Sequence, residues 1–384
     1  MKNFFTGISG SIRFPATAIV SVMMVFTPVS RGLCGTDGRR DGPAVKVMPE
    51  MVTKESIKSI DIGTRYLVKT QRGNGSWLSH GYGSYPVVMT SLAGLALMAG
   101  GSTPESGPYS RNVLHALNYV LNVAESTMKE GDEKVLIAGG GRSMYGHGFG
   151  MLFLAQCYGM EKDRERGRRL KRALDAAVNL TVASQSDLGA NRYHAGGWTY
   201  TPDAKSDEGS VTVTQLQALR ACRNVGIDVP SSTIRRAVKY LQYMQQGDGG
   251  ICYSSSSRGS SQEAISAAAI ACFYAAGVYD RGSKESNVEA KMVDRLVEYC
   301  KRISPGSGGG HYFYTHFYKA QGLYQRGGKD WEDYYPRLRD RIMSMQMPDG
   351  SWNGDHVGPV YGTSIAVIIL QLPYGRLPIY QKHQ

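Results

Sequence analysis

The chain reads as an all-α ring, an (α/α)6 toroid of six helical hairpins. Three observations predict it. A glycine turn carrying an aromatic residue recurs along the sequence, each copy joins a charged helix to an uncharged one, and the copies are numerous enough to close a circle.

The turn is clearest at the two ends. Tyr66-Leu67-x3-Gln71-x3-Gly75-Ser76-Trp77 returns as Arg341-Ile342-x3-Gln346-x3-Gly350-Ser351-Trp352, with a weaker copy in Tyr240-Leu241-x3-Gln245-x3-Gly249. Further aromatic-bearing glycine turns run from Gly139-Gly140-Gly141 to Tyr145, through Gly196-Gly197-Trp198, and from Gly308-Gly309-Gly310 to Tyr312. Taking Trp77, Tyr145, Trp198, Tyr253, Tyr312 and Trp352 as markers gives six copies, 40 to 68 residues apart and averaging 55.

In chain order, residues 1–32 read as an export signal. Lys2 and Arg13 precede an apolar run from Phe14 to Phe26. That run is short for a bilayer span and suits a signal-peptide core. Ser30-Arg31-Gly32 puts small residues at the two positions a signal peptidase reads, while Arg31 spoils Leu33-Cys34 as a lipoprotein box. The expectation is an exported protein, periplasmic or extracellular, with retention as a signal anchor as the alternative. No other segment is apolar enough to span a bilayer. Residues 33–52 carry glycines and charges and read as a linker whose removal should leave the melting temperature nearly unchanged. The toroid takes residues 53–384.

Within each copy the first helix is amphipathic and charged, as in Ile234-Arg235-Arg236-Ala237-Val238-Lys239-Tyr240-Leu241. The second is nearly free of charge, as in Ala264 to Ala276. A helix with one wet face belongs on an outer ring, and one apolar all round belongs inside. A closed ring buries every inner helix, whereas an open stack needs polar caps at both ends. The two best turns lie in the first and last copies, which a closed ring sets side by side.

Composition narrows the function. The 384 residues are 42% hydrophobic, enough for a core, and the net charge is +12. The basic run of Arg164, Arg166, Arg168, Arg169, Lys171 and Arg172 is interleaved with Glu161, Asp163 and Glu165. It reads as a solvated outer face, and without stacking aromatics it does not point to nucleic acid. Cys157, Cys222 and Cys272 fall near the ends of apolar helices and read as small buried hydrophobes. No CxxC is present among the six cysteines. No phosphate loop, nucleophile elbow or calcium loop occurs. No cofactor and no bound metal are expected.

Gln-x3-Gly-x-Trp turns on helix pairs resemble the repeats of the squalene cyclase and protein prenyltransferase superfamily, from about residue 55 to the end. The chain is more closely similar to bacterial prenyltransferase and squalene oxidase repeat proteins. Met144-Tyr145-Gly146-His147-Gly148-Phe149-Gly150, Ser210 to Arg220, His311 to Tyr318, and Tyr361-Gly362-Thr363-Ser364 through Leu377-Pro378-Ile379-Tyr380 carry that similarity. The resemblance implies the fold more than a reaction. It also implies that Gln71, Trp77, Gln346 and Trp352 are structural, the Gln amide tied to a helix end with the Trp ring stacked on it. Orphan N–H groups would thereby be satisfied and neighbouring hairpins pinned.

The cavity of such a ring is central and lined by the starts of the inner helices. Alignment puts Thr90, His147, Thr214, Ser266, His316 and Thr363 at one level, preceded by Met89, Gly146, Val213, Ile265, Thr315 and Gly362. A cyclase of the squalene–hopene type would carry its acid there in an Asp-x-Asp-Asp motif, and none of these positions is acidic. Asp207 and Glu208, several residues earlier, are the displaced candidates. The mixed zinc set of a prenyltransferase has only Asp248, Cys252 and His316 as counterparts, a poor match. His147 and His316 fall in copies two and five and would face each other across a six-fold ring. A gap of roughly 8 Å would remain between them, too wide to share a metal but suited to gripping a ligand or acting as acid and base.

Tyr82, Tyr85, Tyr145, Tyr312, Tyr314, Tyr318 and Tyr361 enrich the same rim. With 24 Tyr against 9 Phe, the cavity reads as wet rather than greasy. Three functions follow. In the first the ring binds a ligand or partner in or on its cavity without chemistry, with Tyr145, Tyr312, Tyr314, Tyr361, Thr363 and Glu263 as binding residues. In the second it acts on an isoprenoid with a displaced acid, and His147, His316, Asp207 and Glu208 are the catalytic candidates. In the third it is a glycan hydrolase or lyase, with Asp207, Glu208 and Glu263 meeting across a cleft. The ligand is correspondingly a lipid, an isoprenoid or a glycan.

Overall fold

The computed structural model describes residues 49–80, 85–187, 196–203, 206–275 and 284–381. The signal segment, most of the linker, Cys34 and Tyr82 lie outside the described residues. Among those described, α1 (Lys54–Thr70), α3 (Ser110–Ser126), α5 (Arg164–Ser184), α7 (Ser231–Met244), α9 (Lys284–Lys301) and α11 (Gly328–Ser344) form the outer layer. The inner layer is α2 (Pro86–Ala99), α4 (Ser143–Tyr158), α6 (Gly209–Asn224), α8 (Glu263–Ala275), α10 (Tyr312–Arg326) and α12 (Pro359–Gln371). Each inner helix packs on the next, and α12 returns to α2, so the ring closes.

Periodicity sorts the helices between layers. Helix α7 buries Ile234, Ala237, Val238, Tyr240 and Leu241 and points Arg235, Arg236 and Lys239 at solvent. Helix α2 buries every residue from Val87 to Ala99. An apolar stripe sends a helix to the rim, and an apolar circumference sends it inside. The inner helices also approach closely. A Cβ on Gly148 would come within 2.6 Å of Thr214 Cγ2, so the α4 backbone packs directly against the Thr214 side chain of α6 there.

The repeated turn is a hydrogen-bonded clamp. Gln71 Nε2 donates to Gly75 O and to Asn112 O in α3, both at 3.0 Å. Trp77 Nε1 donates to Leu67 O at 2.8 Å, and Trp77 N donates to Thr90 Oγ1 at 3.1 Å. In the last copy Gln346 Nε2 reaches Gly350 O and Ser59 O, each at 3.0 Å, fastening α11 to α1. Trp352 Nε1 donates to Ile342 O at 2.7 Å. The clamp thus satisfies carbonyls at the ends of outer helices, not the N–H groups anticipated from the resemblance. Gly75 and Gly350 have φ of 88° and 92°, and a Cβ on Gly75 would lie 2.3 Å from His115 O. Only glycine fits where the turn presses on the next outer helix.

The clamp also sets the register. Trp198 N donates to Thr212 Oγ1 at 2.9 Å, and Ile251 N to Ser266 Oγ at 2.8 Å. Thr212, not Thr214, is therefore the third-copy counterpart of Thr90 and Thr363, a two-residue correction. Ile251 takes the place of the ring in the fourth copy, so Tyr253 is not its structural marker. Copies two and five improvise. Ile137 N donates to His147 Nδ1 at 3.2 Å, and Lys319 Nζ donates to Cys300 O and Ile303 O at 2.7 and 2.6 Å.

Residues ahead of α1 are fastened to the ring. Val52 is buried, and Arg339 Nη1 donates to Met51 O at 2.7 Å. The C-terminal end of the predicted linker is therefore packed structure, because an apolar Val beside an unpaired carbonyl finds both partners there. Cys157, Cys222, Cys252, Cys272 and Cys300 are buried free thiols. No helix among the described residues is long and apolar enough to cross a membrane.

The lumen is filled at one end. Leu377, Ile379 and Tyr380 are buried, and the 3-10 turn Pro378–Tyr380 docks on α6 and α10. Gln325 Nε2, near the end of α10, holds Ile379 O at 3.2 Å. Above this plug Gln217 Nε2 donates across the lumen to Gln321 Oε1 at 2.9 Å. Open space lies towards the starts of the inner helices.

Candidate functional site

Two adjoining cavities of about 210 and 320 Å³ open at that end. They share Arg142, Tyr145, His311 and Tyr314, so they form one groove over the lumen. The smaller is walled by Tyr85, Val88, Met89, Phe149 and Tyr361, with Asp355, His356 and Val357 on one side. The larger is bounded by Tyr200, Glu208, Ser210, Tyr253, Gln262, Ala264 and Ile265. Every inner helix or the loop entering it contributes a wall, which follows from a ring whose inner helices all start on one side.

The polar core of the groove is a relay ending on Glu208. This residue caps α6, accepting Ser210 N at 3.1 Å and Val211 N at 2.9 Å. Ser210 Oγ donates to both Glu208 oxygens at 2.8 and 2.7 Å. The Ser210 proton is thereby spent, so Tyr145 OH donates to Ser210 Oγ. Tyr314 OH adds a bond to Ser210 O at 3.3 Å, tying α10 to α6 over the lumen. Burial raises the Glu208 carboxyl, against the lowering effect of its Ser210 and Val211 donors.

Asp355 lies on the loop before α12 and reaches to α10, where its oxygens accept Phe313 N at 3.3 and 3.2 Å. Burial nonetheless pushes its carboxyl up to about 6, with the Phe313 amide pulling the other way. Tyr145, Tyr314 and Tyr361 are held far above the ordinary phenol value by burial, so they act as neutral donors. Arg142 stacks on Tyr200, its guanidinium 4.4 Å from the ring centre. Tyr200 OH meets Tyr253 OH at 2.5 Å on the exposed rim. The groove therefore offers two carboxyls with raised proton affinity, neutral phenol donors and open aromatic faces.

The sequence-predicted residues divide. Tyr145, Tyr314, Tyr361 and Glu208 line the groove together. His147 and His316 do not face each other across it. His147 is fully buried between layers. Its Nδ1 accepts Ile137 N, so Nε2 carries the proton and faces Ala177 O at 3.2 Å and Thr181 Oγ1 at 2.9 Å on α5. His316 is turned outwards in the same way, with Nε2 on Ser307 O and Nδ1 on Tyr334 OH, both at 2.6 Å. Burial lowers both imidazoles to about 4, so each is a neutral bridge at pH 7.

Asp207 faces away from the groove. It accepts Tyr240 OH and Ser255 N, both at 2.7 Å, and a short bond from Ser255 Oγ. Glu263 is exposed at the start of α8 and outside the groove lining. The expected meeting of Asp207, Glu208 and Glu263 thus fails, because neighbouring residues at a helix entry point in different directions. Thr363 is a buried clamp acceptor, bonded to Trp352 N at 3.1 Å. Tyr312 sits behind the rim, its ring 4.4 Å from His316 and its hydroxyl on Pro305 O. Asp248 caps its own turn through Gly250 N, and Cys252 packs on Met244, apart from His316.

Arg142, Asp355, His311 and His356 were missed. Aligning positions within the inner helices overlooked the loops that enter them. The signal was there: Asn353-Gly354-Asp355-His356 follows directly on the Trp352 turn.

A helical ring plugged at one end by C-terminal residues, with an aromatic and acidic groove at its other end, defines a toroid with an open mouth. No protein-family model matches the chain, and no curated protein matches it in sequence. Solved structures match its fold. A GH76 α-mannanase from Bacteroides thetaiotaomicron aligns with TM-score 0.62 at 9% identity, over 84% of this chain and 96% of that one. The GH76A α-1,6-mannanase of Salegentibacter sp. HEL1_6, in an inactive variant complexed with α-1,6-mannotriose, gives TM-score 0.57 at 10% identity over 82% and 98%. The type II terpene cyclase MstE from Scytonema gives 0.53 at 14% identity over 85% and 100%. At these identities the likeness shows the toroid fold, which glycan hydrolases and terpene cyclases share.

Proposed function

We propose that the chain binds a carbohydrate across the open mouth of its ring, with Asp355 and Glu208 as the carboxyls available for glycosidic chemistry. The observation that carries this reading is the wall of Tyr85, Tyr145, Tyr200, Tyr253, Tyr314 and Tyr361, interrupted by Arg142, Glu208 and Asp355. Aromatic faces stack on sugar rings while charged and phenolic groups hold hydroxyls. Glycoside hydrolysis needs one carboxyl protonated and one ionised. Asp355, raised to about 6, supplies the proton. Glu208, held by the α6 amides and Ser210, is the second carboxyl of the groove. The C-terminal plug and the Gln217–Gln321 bond below the groove support a ligand lying across the mouth.

A specific observation favours a second reading. The smaller cavity sets the Asp355 carboxyl among Val88, Met89, Phe149 and Tyr361. A protonated acid in an apolar aromatic pocket can also protonate an alkene. Native mass spectrometry of the purified protein, followed by solvent extraction, separates the two. Retained hexose oligomers support the glycan reading. A co-purifying isoprenoid overturns it in favour of the second.

We place the protein outside the cytoplasm on the strength of residues 1–32. N-terminal sequencing of the mature chain tests this. A start near Gly32 or Leu33 supports export, and an intact Met1 in a cytosolic fraction contradicts it.

A further inference from the structure

A third cavity, of about 480 Å³, lies outside the lumen between α9, α10 and α11. Its floor is Lys319 of α10, which is 2% exposed. Lys301, Lys329 and Arg337 stand around it, with Asp330 and Asp333 as the acids.

The charges do not cancel. Lys301 and Arg326 both bridge to Asp330, at 3.1 and 3.0 Å, and Lys301 also meets Glu298 at 2.6 Å. Asp330 is thus already engaged. Lys319 spends two of its three donors on the backbone carbonyls of Cys300 and Ile303 and lies 4.1 Å from the Tyr334 ring centre. Arg337 Nε holds the Asp333 carbonyl at 2.8 Å, leaving its terminal nitrogens. Among the described residues Lys319, Lys329 and Arg337 are therefore three cations without a carboxylate partner, set against Asp333 as an acid of the lining with no ion pair. A buried ammonium with no counter-ion is costly, and the cost shows in Lys319, which burial lowers to about 8.

We propose that this outer-wall cleft binds a tetrahedral oxyanion, a phosphate or sulfate group, on Lys319, Lys329 and Arg337. A dianion matches the local excess of two positive charges. A lysine point charge on the floor and an arginine fork on the wall are the usual donors to such a group. The cleft is larger than a bare ion, so the group is carried as an ester on a bigger molecule. The site is separate from the lumen mouth and does not depend on the carbohydrate reading.

The test is isothermal titration and thermal unfolding of the full chain with inorganic phosphate and with phenyl phosphate, at ionic strength held constant with chloride. Lys329→Gln/Arg337→Gln is the variant, because both residues are exposed and outside the lumen. Arg235→Gln/Lys239→Gln on the exposed face of α7 is the charge-matched control. Saturable binding is expected in the wild type and the control, weakened at least about tenfold in the double variant. Tighter binding of phenyl phosphate than of inorganic phosphate supports the ester, and equal binding points to the free ion in the same cleft. A non-saturating rise in melting temperature, identical in all three proteins, would be a general salt effect and would overturn the proposal.

Discussion

Asp355 reaches from the loop before α12 to accept the backbone N–H of Phe313 at the start of α10, at 3.2 Å, while its carboxyl faces the lumen mouth. One side chain thus joins two inner helices and presents an acid to the groove. Helix amides favour the anion, but burial wins and the carboxyl is raised to about 6.

The sign of that shift makes a prediction. Between pH 4 and 6 the folded protein binds a proton at Asp355 that the unfolded chain has released. Its contribution to stability is therefore present at low pH and lost as pH rises through 6. Asp355→Asn should raise the unfolding free energy at pH 7.5 by about 1–2 kcal/mol, the full shift being discounted for partial exposure. It should also abolish any turnover. Denaturant unfolding at pH 4 and 7.5 checks the first part; a gain at pH 4 instead of 7.5 would refute it.

His147 and His316 act with the opposite slope. Both imidazoles are lowered to about 4 by burial, so protons bind the unfolded chain first as pH falls below 6.5. Stability should fall steadily from pH 6.5 to 4, by about 3 kcal/mol for each histidine. His147→Gln should flatten part of that slope at some cost in stability at pH 7. A slope unchanged in the variant would mean that His147 is already charged in the fold.

The last clamp fastens the two ends of the outer layer. Trp352→Phe removes the donor to Ile342 O and Gln346→Ala the donors to Ser59 O and Gly350 O. Each should cost about 1–3 kcal/mol because a buried carbonyl loses its partner. Gly350→Ala should cost a similar amount, since its φ is 92° and the new Cβ would stand 2.5 Å from Ile62 Cγ2. Thermal unfolding of the three variants is the check, with Ile57→Ser on the exposed face of α1 as the neutral control.

The ring was legible in the sequence because a repeat writes the same physics six times. Gln71 and Gln346 face identical carbonyl geometry, and the residues between them keep helical periodicity. The site was legible only in part. Tyr145, Tyr314 and Tyr361 sit on helix starts, where alignment finds them. Asp355 sits in an entering loop, whose direction no periodicity fixes. His147 misled because its position matches Thr90 and Thr363, and in this ring that level faces the turn clamp rather than the lumen. Thr212 lay two residues from its expected place because the third turn ends on Glu208, which caps α6 itself.

The rim of the groove gives its own prediction. Tyr200 and Tyr253 meet through their hydroxyls at the rim, where Tyr253 is exposed and Tyr200 is half-buried against the core beneath Arg142. Tyr253→Ala should leave the melting temperature within about 2 °C of wild type, as for surface substitutions of this kind, whereas Tyr200→Ala/Tyr253→Ala should lower it modestly through lost core packing while keeping one cooperative transition. It should weaken ligand binding at least about tenfold, from the loss of two stacking faces.

The most direct test of the carbohydrate reading is a glycan array probed with the full chain and with Tyr200→Ala/Tyr253→Ala, followed by titration calorimetry on any oligosaccharide retained. The account predicts saturable binding of an oligosaccharide by the wild type and its loss in the double variant. Retention of no glycan, or equal retention by both proteins, would contradict it.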